Sequence, residues 1–150
     1  MYSRILVPVD GSSCSLKGLT EALRLASAPK VRLKLVHVVN ELISEPALAA
    51  TEYHQALIES MRETGNATLA QAESIARLAD ADVETELLET IGGRAADCIV
   101  DAAQKWHADL IVMGTHGRRG MSRLAMGSDA ELVVRSAPVP VLLVRERTDI

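Results

Sequence analysis

Three glycines, a serine and three arginines in the last third of the chain carry most of the chemistry it could do. Gly114, Gly117 and Gly127-Ser128 fall as glycine, two residues, glycine, nine residues, Gly-Ser. Glycine lets backbone N–H groups come close to a ligand, and a helix opening at Ser128 would add unpaired N–H donors and the positive end of its dipole. Such a loop is an anion site, with phosphate the obvious anion. Arg118, Arg119 and Arg123 set positive charge around it. It is not a Walker loop, because no Gly-Lys-Ser/Thr follows the glycines. Nor is it the dinucleotide fingerprint, because Gly114, Gly117 and Gly120 fall as G-x-x-G-x-x-G.

Other reactive residues are isolated. His37 and His116 lack the spacing of metal ligands, although His116 sits in the loop and is a candidate phosphate contact. Cys14 and Cys98 are far apart and form no metal or redox motif, which suits reduced thiols in a cytoplasmic protein. No Ser/His/Asp order and no paired carboxylates stand out. Trp106 and the helical methionines read as core or rim.

Strands and helices must position these groups. Arg4 to Val9 is an apolar run too short for a helix, so it predicts a first strand, central in its sheet. Asp10-Gly11-Ser12-Ser13 ends it, and Ser12 or Ser13 can cap a helix that runs to about Ala26. Val31 to Val39 predicts the second strand. From about Ala47 to Ala79 the pattern is helical, with Leu57, Met61, Leu69, Ala72, Ala76 and Ala79 facing inward and Gly65-Asn66 as a point of kinking or splitting. Val83 to Leu88 is a third, charge-interrupted strand at a sheet edge. Gly92-Gly93 turns into a helix ending near Trp106. Ala108 to Met113 is the fourth strand, Asp129 to Arg135 a helix with Ser128 as N-cap and Glu131 completing a capping box, and Val139 to Val144 the fifth strand.

Strand alternates with helix throughout, which predicts an α/β fold: one open, five-stranded parallel sheet with helices on both faces. Ligands of such sheets sit at the carboxyl ends of strands where connections diverge. If the first and fourth strands are neighbours there, Asp10 and the glycine loop converge. The 150 residues fit one domain, residues 1–150. Hydrophobic residues make up 48% with no Phe, so the core must be aliphatic, as buried parallel strands allow. A net charge of −4 argues against a general nucleic-acid binder. No apolar run has the length of a membrane span, and the N-terminus enters a strand pattern without a signal-peptide core.

The chain resembles the universal stress protein family, in its ATP-binding branch, along essentially its whole length. The resemblance rests on Ile5-Leu6-Val7-Pro8-Val9-Asp10-Gly11-Ser12, on Ala108 through Gly117, and on Gly127-Ser128 through Arg145. It implies the strand order 3-2-1-4-5. It also implies ATP as ligand, with backbone at Val38 on the adenine edge and Pro8 and Asp10 beside the adenosine. The Asp10 carboxylate would lie near ribose hydroxyls or a bound Mg²⁺, and Met113, Gly114, Gly117, Gly127 and Ser128 around ribose and phosphates. One departure is Asp129-Ala130 after Gly-Ser, where the nucleotide-binding members usually carry small neutral or hydroxyl residues. The function implied is a nucleotide-responsive stress regulator with at most slow ATP hydrolysis. A slow ATPase or adenylyl transferase is one alternative, and a protein-binding dimer with a degenerate pocket, for which Asp129 argues, is another. The apolar last strand, interrupted by Pro140, predicts a sheet edge covered by a second copy in a homodimer.

Overall fold

Arg4–Pro8 (β1), the first apolar run, becomes the centre of a five-stranded parallel sheet. The computed structural model describes residues 1–41, 51–116 and 126–147. Around β1, Arg32–Glu41 (β2), Asp82–Ile91 (β3), Leu110–Gly114 (β4) and Val141–Val144 (β5) take the order β3-β2-β1-β4-β5. This is the expected α/β architecture, with β3 at one edge and β5 at the other. β1 pairs with β2 from Arg4↔Arg32 to Pro8↔Val36, and with β4 at Ile5↔Leu110 and Leu6↔Ile111.

The alternation of side chains along each strand splits the core in two. Ile5, Val7, Leu33, Leu35 and Val112 face helices Ser13–Leu25 (α1) and Glu52–Leu78 (α2). Leu6, Val36, Ile111 and Met113 face helices Ala95–Lys105 (α3) and Ser128–Ser136 (α4). Trp106 seals the second layer, buried beneath the Arg4 guanidinium 4.3 Å from its ring centroid.

Two helical expectations are corrected. Helix α2 does not split at Gly65, and runs as one helix of 27 residues. A mid-helix glycine costs about 1 kcal/mol against alanine, yet here a Cβ would lie 2.7 Å from His37 Cδ2 and 2.8 Å from Leu87 Cδ1. The missing side chain is what lets α2 close over the imidazole. Its buried row is therefore Ile58, Gly65, Leu69, Ala72 and Ala76, while Leu57 and Ala79 are exposed. Helix α4 is capped by Gly127, not Ser128, and no capping box forms. Gly127 N–H donates to Thr115 O (2.6 Å) and its carbonyl accepts from Glu131 N–H (3.0 Å), so the end of β4 fixes where the helix begins. Glu131 pairs instead with Arg135 at 2.8 Å.

Asp109 anchors the opening of β1. Burial alone would raise its carboxyl pKa, but N–H groups of Ser3 (2.9 Å) and Arg4 (3.0 Å) and the Ser3 hydroxyl (2.8 Å) outweigh that and hold it below the usual range. A depressed folded-state pKa stabilises fully above the unfolded value of about 3.9 and less as pH falls through the folded one. Asp109→Asn should thus cost about 1 kcal/mol at pH 7, the figure for hydrogen bonds to a charged acceptor discounted for exposure. The gap to the parent should narrow below about pH 4. Urea midpoints across pH check both, and a gap independent of pH would refute the assignment.

Candidate functional site

The connections leaving β1 and β4 diverge, and a cleft of about 1050 Å³ opens over their carboxyl ends. Pro8, Asp10, Val38, Met113, Gly114, Gly127 and Ser128 all line it. Gly117, Arg118, Arg119 and Arg123 lie outside the described residues.

Backbone direction explains why Val38 matters. In a parallel sheet the N–H and C=O of one residue point to the same neighbour, alternating along the strand. Val36 O accepts from Val9 N–H at 2.8 Å, so Val36 faces β1. Val38, two residues on, faces the same way, but the β1 ladder has ended at Pro8↔Val36. Its donor and acceptor are therefore presented to the space beyond β1. The chain leaves β1 through Gly11 at φ +84°, a conformation that favours glycine. Asp10 Oδ1 accepts from Ser12 N–H at 2.8 Å, which fixes the carboxylate at the cleft wall, and Ser12 caps α1 by accepting from Ser15 N–H at 3.1 Å.

Helix α4 contributes differently from α1. Its N-cap is a glycine with no side chain to offer, so Ser128, Asp129 and Ala130 bring the uncapped first turn to the cleft. Helix α3, which opens beside it at Arg94, also lacks a side-chain cap. Free N–H groups and helix dipoles at these two starts favour negative charge between them. Gly127 has φ −63° and ψ 152°, which any residue adopts, so the backbone there does not itself require glycine. Asp129 is exposed, and its carboxylate opposes the dipoles' preference for a phosphate. At ~6 Å the repulsion is roughly 0.7 kcal/mol at water's dielectric and a few kcal/mol at ~20. Exposure makes the smaller figure apply.

Gly114 has a structural reason that outranks close approach of a ligand. A Cβ would meet Cys14 Sγ at 2.8 Å and the Cys14 carbonyl carbon and oxygen at 2.9 Å. Backbone cannot yield as a side-chain tip can. Gly114→Ala should lower stability by about 1–3 kcal/mol, read as a shift in denaturant midpoint; an unchanged midpoint would refute this contact. Cys14 is buried, with its thiol donating to Val144 O at 3.5 Å, and so is a packed core group.

His37 turns its ring to the α2 side, where Nδ1–H donates to Val9 O at 2.8 Å. Only a ring N–H can serve that carbonyl, so Nδ1 carries a proton. His116 Nδ1 lies 2.9 Å from Thr115 Oγ1. Among the described residues, the buried side-chain polar atoms without a partner are His116 Nε2 and Asn40 Oδ1, and both residues line this cleft. Sequence reasoning missed Asn40, Arg94, and Ser60 and Thr64 of α2. Period-two alternation from Val38 could have found Asn40, whereas placing Ser60 and Thr64 needs the packing of α2. Arg94 is held in a two-point ion pair with Asp97 (3.0 and 3.2 Å).

An open parallel sheet with its cleft at the switch point makes this a doubly wound α/β protein. The chain matches the universal stress protein family model over residues 1–145 and belongs to that family. It is 34% identical over 148 residues to a universal stress protein of Methanocaldococcus jannaschii, covering 97% of this chain and 84% of that one. Among solved structures it resembles the universal stress protein UspA of Lactobacillus plantarum (28% identity, 96% and 98% coverage, TM-score 0.84). It also resembles the Archaeoglobus fulgidus universal stress protein in complex with dAMP (28% identity, 96% and 98% coverage, TM-score 0.69).

Proposed function

We propose that this chain binds an adenine nucleotide, ATP foremost, in the cleft over β1, β2 and β4, and acts in the cytoplasm as a nucleotide-responsive stress regulator. The observation that carries the reading is the convergence there of three offerings. Val38 presents an unladdered donor and acceptor suited to a base edge, Asp10 a carboxylate suited to hydroxyls, and the uncapped α4 an anion-favouring terminus. A related protein holding dAMP supports the choice of an adenine nucleotide. Mg²⁺ accompanying the phosphates would take Asp10 and Asp129, the carboxylates on the cleft wall. Such an ion needs only one or two carboxylates besides phosphate oxygens.

Fast chemistry asks for more: a held metal, an oriented water and charge aimed at the transition state. Asp129 lies exposed at the α4 terminus and His116 Nδ1 is engaged with Thr115 Oγ1, so neither is set as a general base, and binding without rapid turnover is the proposed activity. The protein acts as a homodimer through β5, with no nucleic-acid or membrane partner; among the described residues no helix is long and apolar enough to cross a membrane. Denaturing natively purified protein and identifying released nucleotide by mass spectrometry, with calorimetric titration of ATP, tests the reading. No release and no heat at millimolar ATP would favour a protein-binding dimer with a degenerate pocket.

A further inference from the structure

Asn40 has one half of its amide committed and the other half idle. Its Nδ2 donates to Gly93 O at 2.8 Å. Gly93 O can only accept, so the amide cannot flip, and Oδ1 is fixed as the idle acceptor. That Oδ1 is buried and has no partner. A buried acceptor left unsatisfied costs free energy on the order of a lost hydrogen bond, with nothing in the fold to offset it. The position is also specific. Asn40 follows Val38 by two residues, so both side chains lie on the α3 side of β2, and both line the cleft.

We infer that Asn40 is a base-selecting residue: its Oδ1 accepts from an exocyclic amine on the purine edge. This rests on the nucleotide reading above and deepens it. An amine carries two hydrogens, so the Val38 carbonyl can take one and Asn40 the other. A base with a 6-keto group would set oxygen against oxygen at the same place, an unpaired and repulsive contact. Asn40 thus selects adenine over guanine. Gly92, at φ +67°, turns the chain beside Asn40, and its N–H donates to Glu41 O at 2.8 Å. A flat ring entering the cleft reaches Oδ1 by displacing side chains of the cleft wall while the Nδ2 bond to Gly93 O holds. The bond to Gly93 means that Asn40 also ties this turn, and the start of α3, to the end of β2.

The test separates the idle acceptor from the tie. Calorimetry on the full chain compares ATP with purine riboside triphosphate, which lacks only the 6-amino group, and with GTP. The parent should bind ATP about tenfold more tightly than the amine-free analogue, as expected for a buried acceptor left unpaired, and GTP more weakly still. Asn40→Leu should bring the ATP-to-analogue ratio close to that of the Val38 contact alone, a clear fall. Asn40→Asp, which keeps an acceptor oxygen but loses the donor to Gly93, should retain the preference. Should Asn40→Leu not fold by circular dichroism, Asn40→Ala carries the same comparison. If Asn40→Leu and Asn40→Asp weaken both ligands by one common factor, the residue only ties the turn and the inference is overturned. Equal affinity of the parent for ATP and the analogue overturns it while leaving nucleotide binding intact. No binding of any of the three overturns the nucleotide reading itself.

Discussion

Gly127→Val should reduce ATP affinity at least about 100-fold, some 2.7 kcal/mol, while leaving the fold intact. Both halves follow from the geometry. With φ −63° and ψ 152°, Gly127 occupies extended backbone that valine accepts without strain, so stability should change by no more than about 1 kcal/mol for a less favoured N-cap. The residue nevertheless lines the cleft at the helix start, where a branched side chain occupies room meant for phosphate and shields the first-turn N–H groups. Adenosine, which does not reach that terminus, should lose much less than ATP. Calorimetry with both ligands, beside a thermal melt, reads the result. Unchanged ATP affinity in a folded variant would sink the phosphate assignment. Parent turnover faster than roughly 1 per second, in the ordinary enzyme range, would replace the binder reading with an enzyme.

The central strands were legible because their burial is nearly total. Ile5, Leu6 and Val7, and Ile111 and Val112, are fully buried, and only a continuous apolar run can meet water on neither face. What escaped was set by contacts between distant segments. Gly65 looks like a helix breaker until His37 and Leu87 are seen in the space its side chain would fill. Ser128 looks like an N-cap because serine is good at it, but the bond from Gly127 N–H to Thr115 O starts the helix one residue earlier. Leu57 was misassigned because Leu57 and Ile58 are equally apolar neighbours, and propensity does not tell which faces the sheet. The cleft itself was half legible. Its strand-end residues fall at places that topology dictates, whereas Arg94, Ser60 and Thr64 reach it from helices whose packing no local pattern states.

Leu142→Lys should convert a homodimer into a monomer that still folds. β5 is an edge strand, so one row of its backbone groups has no neighbour within the chain's own sheet. The ladder says which row. Pro140 O accepts from Ile111 N–H and Val144 O from Thr115 N–H, both at 3.0 Å, so the even-numbered residues face β4. The nitrogen that Pro140 leaves without a hydrogen therefore falls on the paired side, and does not blunt the edge as its position in the sequence suggests. Within β5, Val141 and Leu143 turn intact N–H and C=O groups outward, a template for a second β5 running antiparallel about a two-fold axis. Leu142 of this strand leaves an apolar side chain 39% accessible. A lysine at 142 brings like charges together across the two-fold and must be desolvated there, while in a monomer its ammonium reaches water from a half-exposed position. Light scattering on the purified chain should show the parent at twice the monomer mass and the variant at the monomer mass, with unchanged circular dichroism. A parent already monomeric, or a variant whose mass stays doubled, would move the interface away from β5.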